Sequence, residues 1–164
     1  MIYLLDANTL IDAYRDYYSF DMVPEFWEWL VFCGEHDSVK IPIEIFEELK
    51  AGDDKLAEWA KDSSIQDALL FNEDVNPVSL RKVVDNGYAN DLTDIELDKL
   101  GRDPFLIAYA LVNRPDHCIV TTERSKPRRT RANRNIPDVC NSLDVKNIHT
   151  FKFIRELGFK TNWK

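Results

Sequence analysis

Glycine, proline and cysteine are scarce in this chain, and it has no long hydrophobic run. Five Gly and seven Pro in 164 residues exclude a collagen-like chain, while 45% hydrophobic residues exclude a disordered one. No apolar run approaches the roughly 18 residues that indicate a membrane-spanning helix. The composition therefore predicts a soluble globular protein, and the length predicts a single domain over residues 1–164.

The cysteines and the N-terminus both bear on the cellular compartment. Cys33, Cys118 and Cys140 are widely spaced and form no C-x-x-C pair for zinc or redox chemistry, so we expect reduced core residues. The first residues lack the basic region of a secretory signal peptide and reach an acid at Asp6. We therefore expect a cytoplasmic protein without a membrane span.

Charge is distributed unevenly along the chain. The formal net charge is −8, yet residues 124–135, which we call the basic loop, carry six basic side chains and no acid. A basic loop on an acidic body suits a polyanion, although a solvated loop or a contact for an acidic partner protein explains it equally well. The candidate phosphate contacts in this loop are Arg124, Lys126, Arg128, Arg129, Arg131 and Arg134.

Short apolar strands alternate with helical segments. Strands are predicted at 1–5, 39–43, 117–122 and 147–150, and the main helices at 7–18, 23–33, 44–50, 53–61, 104–113, 137–143 and 151–157. Residues 53–99 form a largely helical insert, in which Thr93 and Glu96 have capping-box spacing. The alternation predicts an α/β fold, a single α/β/α sandwich with a mostly parallel central sheet.

Acidic residues stand where predicted strands end. Asp6 follows the first strand and Glu123 follows the third, at the edge where parallel sheets gather ligands. Asp103 precedes Pro104 at a helix start, where an N-cap role explains it equally well, as it does for Asp6. A further acid is expected from the helix at 44–50, with Glu44, Glu47 and Glu48 as candidates.

Such a group of carboxylates predicts a metal-dependent reaction on phosphate. Carboxylates that meet at one edge repel each other, and an oxygen-ligated divalent cation such as Mg²⁺ or Mn²⁺ stabilises them. The cation activates water and neutralises charge on a phosphate, so a basic loop nearby indicates a phosphodiesterase. The sequence has no G-x-G-x-x-G, Walker, H-E-x-x-H or G-x-S-x-G motif, and Asn8 stands where haloacid-dehalogenase phosphatases carry a second aspartate.

Four short segments follow one another along the chain: YLLDANTLID, IPIEIFEELKAG, RDPFLIAYAL and IVTTE. Together they resemble the motifs of the PIN-domain ribonucleases, a family that includes the VapC-type toxins, and the resemblance implies a PIN-like fold. It makes Asp6 the first metal-binding acid, with Asn8 and Thr9 in its hydrogen-bonding shell. It makes Glu48 the second acid, with Glu44 as second choice.

The third and fourth motifs supply the other two acids. Asp103 opens an apolar, alanine-rich helix, as in the third motif. Thr121 or Thr122 is the hydroxyl of the fourth motif, and Glu123 stands where aspartate is commoner in the family. The resemblance therefore implies a catalytic site in which four acids hold Mg²⁺ or Mn²⁺, namely Asp6, Glu48, Asp103 and Glu123.

The resemblance also implies an activity and partners. The expected reaction is metal-dependent endonucleolytic hydrolysis of RNA, with 5′-phosphate and 3′-hydroxyl products. The expected biology is that of a toxin restrained by an antitoxin protein, often as a homodimer. Two alternatives stay open: a catalytically inactive PIN-like module that binds RNA or a protein, and a structure-specific DNA nuclease.

Overall fold

A five-stranded parallel sheet lies at the centre of the computed structural model, which describes all 164 residues. Its strands are β1 (Ile2–Leu5), β2 (Val39–Pro42), β3 (Leu70–Phe71), β4 (His117–Thr121) and β5 (Asn147–His149). They lie in the order β3-β2-β1-β4-β5, and every neighbouring pair is parallel. The predicted α/β sandwich is confirmed, and its sheet is parallel throughout.

Ten helices surround the sheet. They are α1 (Ala7–Asp12), α2 (Pro24–Glu35), α3 (Ile43–Lys50), α4 (Lys55–Lys61), α5 (Ser63–Leu69), α6 (Pro77–Lys82), α7 (Asp94–Leu100), α8 (Asp103–Val112), α9 (Ile136–Ser142) and α10 (Thr150–Glu156). Single π-helical turns extend α1 over Ala13–Tyr17 and α6 over Val83–Tyr88. No helix has the length and apolar character needed to cross a membrane.

The 53–99 segment is built into the sandwich. It contains α4 to α7 and also β3, a strand that the sequence pattern did not predict, because two residues directly after a helix show no period-two alternation. β3 pairs with β2 through Ile41 opposite Leu70, which extends the sheet by one strand. The capping box of Thr93 and Glu96 is present at the start of α7, as predicted.

Burial on both faces of the sheet explains why the strands are continuous apolar runs in the sequence. One cluster of 40 buried hydrophobic residues spans the molecule, and all five residues of β4 are buried. Helices therefore cover both faces of the sheet, as parallel sheets require. Cys33, Cys118 and Cys140 are buried and form no disulfide.

The order of the strands places one crevice at the centre of the sheet. The chain runs outward from β1 through β2 to β3, then returns to the other side of β1 and continues through β4 to β5. The chain therefore leaves β1 toward one edge of the sheet and leaves β4 toward the other. This makes the gap between their carboxyl ends a topological switch point, where open α/β sheets bind their ligands. Leu5 pairs with Val120, so the residues that follow these two strands emerge side by side.

Candidate functional site

Asp6 and Thr121 meet at the switch point. Asp6 directly follows β1, and Thr121 is the last residue of β4. The Thr121 hydroxyl Oγ1 donates a hydrogen bond of 2.8 Å to Asp6 Oδ2, and both residues are buried. Thr121, rather than Thr122, is therefore the hydroxyl that orients the first acid.

Burial and neighbouring acids destabilise the charge on Asp6. The residue is 2% exposed and occupies the N-cap position of α1. Burial raises the pKa of Asp6 to about 6, and the charges of Glu123 and Glu48 add to the rise, while the Thr121 hydrogen bond opposes it. The Asn8 backbone N–H in the first turn of α1 also opposes the rise, yet the pKa stays raised, and perturbation of this kind is typical of functional sites.

Asp103 occupies a similar environment on the neighbouring helix. Gly101 adopts a positive φ of 56° between α7 and α8, and α8 begins at Asp103 with Arg102 as its N-cap. The expected N-cap role of Asp103 is therefore wrong, because the helix starts one residue earlier than that role requires. Burial raises the pKa of Asp103 to about 8, with further contributions from the charges of Asp6, Glu123 and Glu48.

Glu123 lies within the group but is partly engaged. Its backbone N–H donates to Thr121 Oγ1 at 3.1 Å, and its carboxylate Oε2 accepts the backbone N–H of Ile136 at 2.7 Å. The second bond ties Glu123 to the first residue of α9. The charge of Glu123 therefore acts on Asp6 and Asp103 from a position that the Ile136 N–H holds.

The acid contributed by α3 is Glu48. Its charge acts on both Asp6 and Asp103, and partial burial raises its pKa while the Arg102 guanidinium opposes the rise. The second choice, Glu44, lies elsewhere, since its Oε1 accepts a hydrogen bond of 3.2 Å from the Tyr109 hydroxyl. Glu47 is exposed and forms an ion pair with Lys50.

The four acids fit a hard divalent cation in their chemistry. They offer only oxygen ligands, which Mg²⁺ and Mn²⁺ prefer, and their mutual repulsion at a partly buried edge is what such a cation relieves. No three acidic, histidine or cysteine side chains are arranged around one point as ready-made ligands. Binding therefore requires side-chain movement, and Glu123, whose Oε2 is held by the Ile136 N–H, is the acid most restricted in it.

A polar crevice of about 540 Å³ opens beside these acids. Its lining includes Asp103 and Glu123 together with Arg128 and Arg129 of the basic loop. The crevice therefore brings two of the four candidate acids together with two arginines of the basic loop.

Two of the six expected phosphate contacts are committed to holding the fold. Arg131 donates to Asp91 Oδ1 at 2.6 Å and to Glu96 Oε1 at 2.7 Å, while Arg134 donates to the backbone carbonyls of Gly87 and Asp138. Arg131 and Arg134 therefore tie the basic loop to the 53–99 segment and to α9. The exposed members of the loop are Arg124, Lys126, Arg128 and Arg129.

Three residues that sequence reasoning missed support this arrangement. Asp138, which is 8% exposed, accepts the hydroxyl of Ser125 at 2.5 Å and the backbone N–H of Lys126 at 2.7 Å. Asn135 donates from Nδ2 to the backbone carbonyl of Arg124 at 2.8 Å. The Tyr88 hydroxyl is buried near Asp103 without a hydrogen-bond partner. An acid in the apolar IPDVC stretch was the only sequence signal, and it pointed to Asp138.

Three of the expected supporting polar side chains make no hydrogen bond to the Asp6 carboxylate. Thr9 is buried, but its Oγ1 donates to the backbone carbonyl of Val120 at 3.1 Å, so it fastens α1 to the sheet. Asn8 is exposed on α1. Thr122 lines a different cavity, together with Thr9. Of the four expected supporting polar residues, only Thr121 therefore donates a side-chain hydrogen bond to one of the acids.

Fold and site together define a class of protein, a doubly wound α/β domain with a carboxylate-lined crevice at its switch point and a basic loop beside it. The chain belongs to the family described as Domain of unknown function (DUF4411), whose sequence model matches residues 3–161. Comparison with curated proteins and with solved structures finds no significant match.

Proposed function

We propose that this protein is a divalent-metal-dependent endoribonuclease. The observation that carries the proposal is the grouping of Asp6, Asp103, Glu123 and Glu48 at the switch point, where Asp103 and Glu123 line the same crevice as Arg128 and Arg129. Clustered carboxylates facing a phosphate-binding surface are the arrangement that phosphodiester hydrolysis needs. The resemblance of the four sequence motifs to PIN-domain ribonucleases supports the same conclusion.

The chain's own side chains divide the work. Asp6, Glu48, Asp103 and Glu123 would hold Mg²⁺ or Mn²⁺, which when bound lowers the pKa of a water molecule and neutralises charge developing on the phosphate. Thr121 fixes the orientation of Asp6 through its hydrogen bond. Arg128 and Arg129 bind the RNA phosphates across the crevice, and Asp138 holds the loop that carries them.

The biological role follows from the resemblance alone. We propose a toxin that acts on RNA in the cytoplasm, is restrained by an antitoxin protein covering the acidic crevice, and assembles as a homodimer. These features rest on analogy with PIN-type toxins rather than on the geometry of the site. A regulatory gene beside this one, together with growth arrest on expression of the chain alone, is the expected observation.

A second candidate is a catalytically inactive module that binds RNA or a partner protein. The bond between Glu123 and the Ile136 backbone N–H favours it, because an acid held there is less free to join the other three. This candidate keeps the basic loop and the fold but predicts no metal-dependent cleavage.

Cleavage of mixed single-stranded RNA by the purified full chain separates the two candidates. The assay compares Mg²⁺, Mn²⁺ and EDTA for wild type, Asp6→Asn and Asp103→Asn, with Asp67→Asn as the matched control because Asp67 is an exposed acid on α5. We expect metal-dependent cutting with 5′-phosphate ends in wild type and the control, and none in the two site variants. RNA binding without cutting by any form supports the inactive module, and 2′,3′-cyclic phosphate ends refute the metal-water mechanism.

A further inference from the structure

A second, more enclosed cavity lies on the other side of the exit from β4. It has a volume of about 210 Å³ and is found at the carboxyl ends of β4 and β5. We call it the side cavity. The lining residues that matter here are Asp12, Tyr17, Thr122, Arg124, His149 and Phe151.

The side cavity and the acidic crevice share one wall. Thr122 and Arg124 line the side cavity, whereas Glu123, the residue between them, lines the acidic crevice. The side chains of successive residues after β4 therefore line the two cavities alternately. A ligand that reaches past this short segment can place a phosphate near Glu123 and its neighbouring group in the side cavity.

The lining of the side cavity combines aromatic rings with hydrogen-bonding groups. Tyr17 and Phe151 meet edge to face with their ring centroids 5.1 Å apart, and Tyr17 is 51% exposed at the mouth. Arg124 adds a planar cation, and Asp12 adds a carboxylate. Aromatic faces and arginine planes are the surfaces on which unpaired nucleobases stack, and the polar groups read their edges.

His149 contributes a neutral ring to this lining. Its Nδ1 accepts the backbone N–H of Phe151 at 3.4 Å, so Nε2 is the donor of the uncharged ring, and the Thr122 backbone already accepts a hydrogen bond from the ring. Burial, and then the nearby charge of Arg124, lower the pKa of His149. The side cavity therefore offers donors and an acceptor as well as stacking surfaces.

We propose that the side cavity binds one nucleobase of a single-stranded RNA, that of the nucleotide next to the phosphate in the acidic crevice. The inference rests on the proposed function, since it takes RNA as the ligand of the neighbouring site. Its volume of about 210 Å³ lies below the range of roughly 300 Å³ and more for drug-sized ligands, so it accommodates one base. Arg124 thereby recognises the base, and Arg128 and Arg129 hold phosphates.

Binding of short oligonucleotides in EDTA tests the proposal without relying on catalysis. Fluorescence anisotropy at fixed salt compares hexa-adenylate and hexa-uridylate with an abasic ribose-phosphate hexamer, which carries the same backbone charge. We expect wild type to bind the better RNA hexamer roughly 5- to 150-fold more tightly than the abasic one, as base stacking predicts. Equal affinity for all three probes overturns the proposal.

Substitutions in the side cavity test whether the preference for bases arises there. Tyr17→Ala and Arg124→Ala should abolish most of the preference for bases, and Tyr17→Phe should retain it, because the exposed Tyr17 ring stacks without its hydroxyl. Arg81→Ala is the matched arginine control, since Arg81 is exposed on α6 and pairs only with Asp85. A loss of affinity that is equal for the RNA and abasic hexamers in Tyr17→Ala overturns the proposal.

The outcome is separable from the nuclease proposal. Base preference that depends on Tyr17, in a protein that never cleaves RNA, supports the side cavity and refutes the nuclease. Metal-dependent cleavage without any base preference refutes the side cavity and leaves the nuclease in place.

Discussion

The raised pKa of Asp103 predicts a stability effect that can be measured without any substrate. At neutral pH the folded protein keeps this carboxyl largely protonated, since its pKa is about 8, whereas the unfolded chain ionises it above about 3.8. The unfolded state therefore binds fewer protons, and stability falls as pH rises between these two values. Asp103→Asn removes this dependence and should stabilise the metal-free protein at pH 7.

The size of the effect follows from the two pKa values. Each pH unit between them costs about 1.4 kcal/mol of unfolding free energy. Between pH 5 and pH 7 the wild type should therefore lose about 3 kcal/mol relative to Asp103→Asn, as an upper limit. Asp6, whose pKa is about 6, titrates in the same direction over the lower half of this range, and its charge raises the pKa of Asp103, so the two carboxyls titrate as a coupled pair and part of the difference belongs to Asp6.

Urea unfolding in EDTA at pH 5, 6 and 7 measures this difference directly. The two stability curves should diverge as pH rises, with the variant the more stable protein at pH 7. Adding Mn²⁺ should then stabilise the wild type by about 2.7 kcal/mol at a hundredfold excess over its dissociation constant, and should affect the variant less. Parallel curves in EDTA refute the reasoning, because they mean that Asp103 is ionised in the folded state.

Three further predictions concern the surroundings of the site. Arg131→Ala should lower thermal stability at pH 7 with little change in RNA affinity, because it removes the ion pair with Glu96. This loss of stability should shrink as the pH falls toward 2, since Glu96, whose pKa is about 2, then becomes protonated. Arg128→Ala should weaken RNA binding and reduce the slope of log affinity against log salt concentration by about one, with stability unchanged in a melting curve. Tyr88→Phe should leave stability unchanged or raise it by up to about 1 kcal/mol in urea unfolding, since the lost hydroxyl has no partner; a large loss contradicts this account.

The strands and the first acids were predictable because their signals are local. Four apolar segments bounded by polar residues gave four of the five strands, and Asp6 and Glu123 were located by the ends of two of them. β3 was not predictable, because Leu70–Phe71 becomes a strand only through its pairing with β2. The sandwich could be predicted from sequence, while its edge depends on tertiary contacts.

The roles of the basic residues were less predictable than their position. Charge counting treats Arg128 and Arg131 alike, but Arg131 finds its acids 35 and 40 positions earlier in the chain, at Glu96 and Asp91. The sequence around Arg131 contains no pattern that predicts these partners. Tyr88 is a similar case, since its buried position near Asp103 arises from the packing of a π-helical turn.

The location of the unfavourable groups distinguishes the two candidate functions. Asp6 and Asp103 hold raised pKa values through burial and through the acids around them, and the unpartnered Tyr88 hydroxyl lies near Asp103. Groups that weaken a fold are retained where function needs them. A module that only binds RNA gains nothing from them, because acids beside the basic loop repel phosphate. A bound cation reverses that repulsion, so the placement of the acids favours the metal-dependent enzyme.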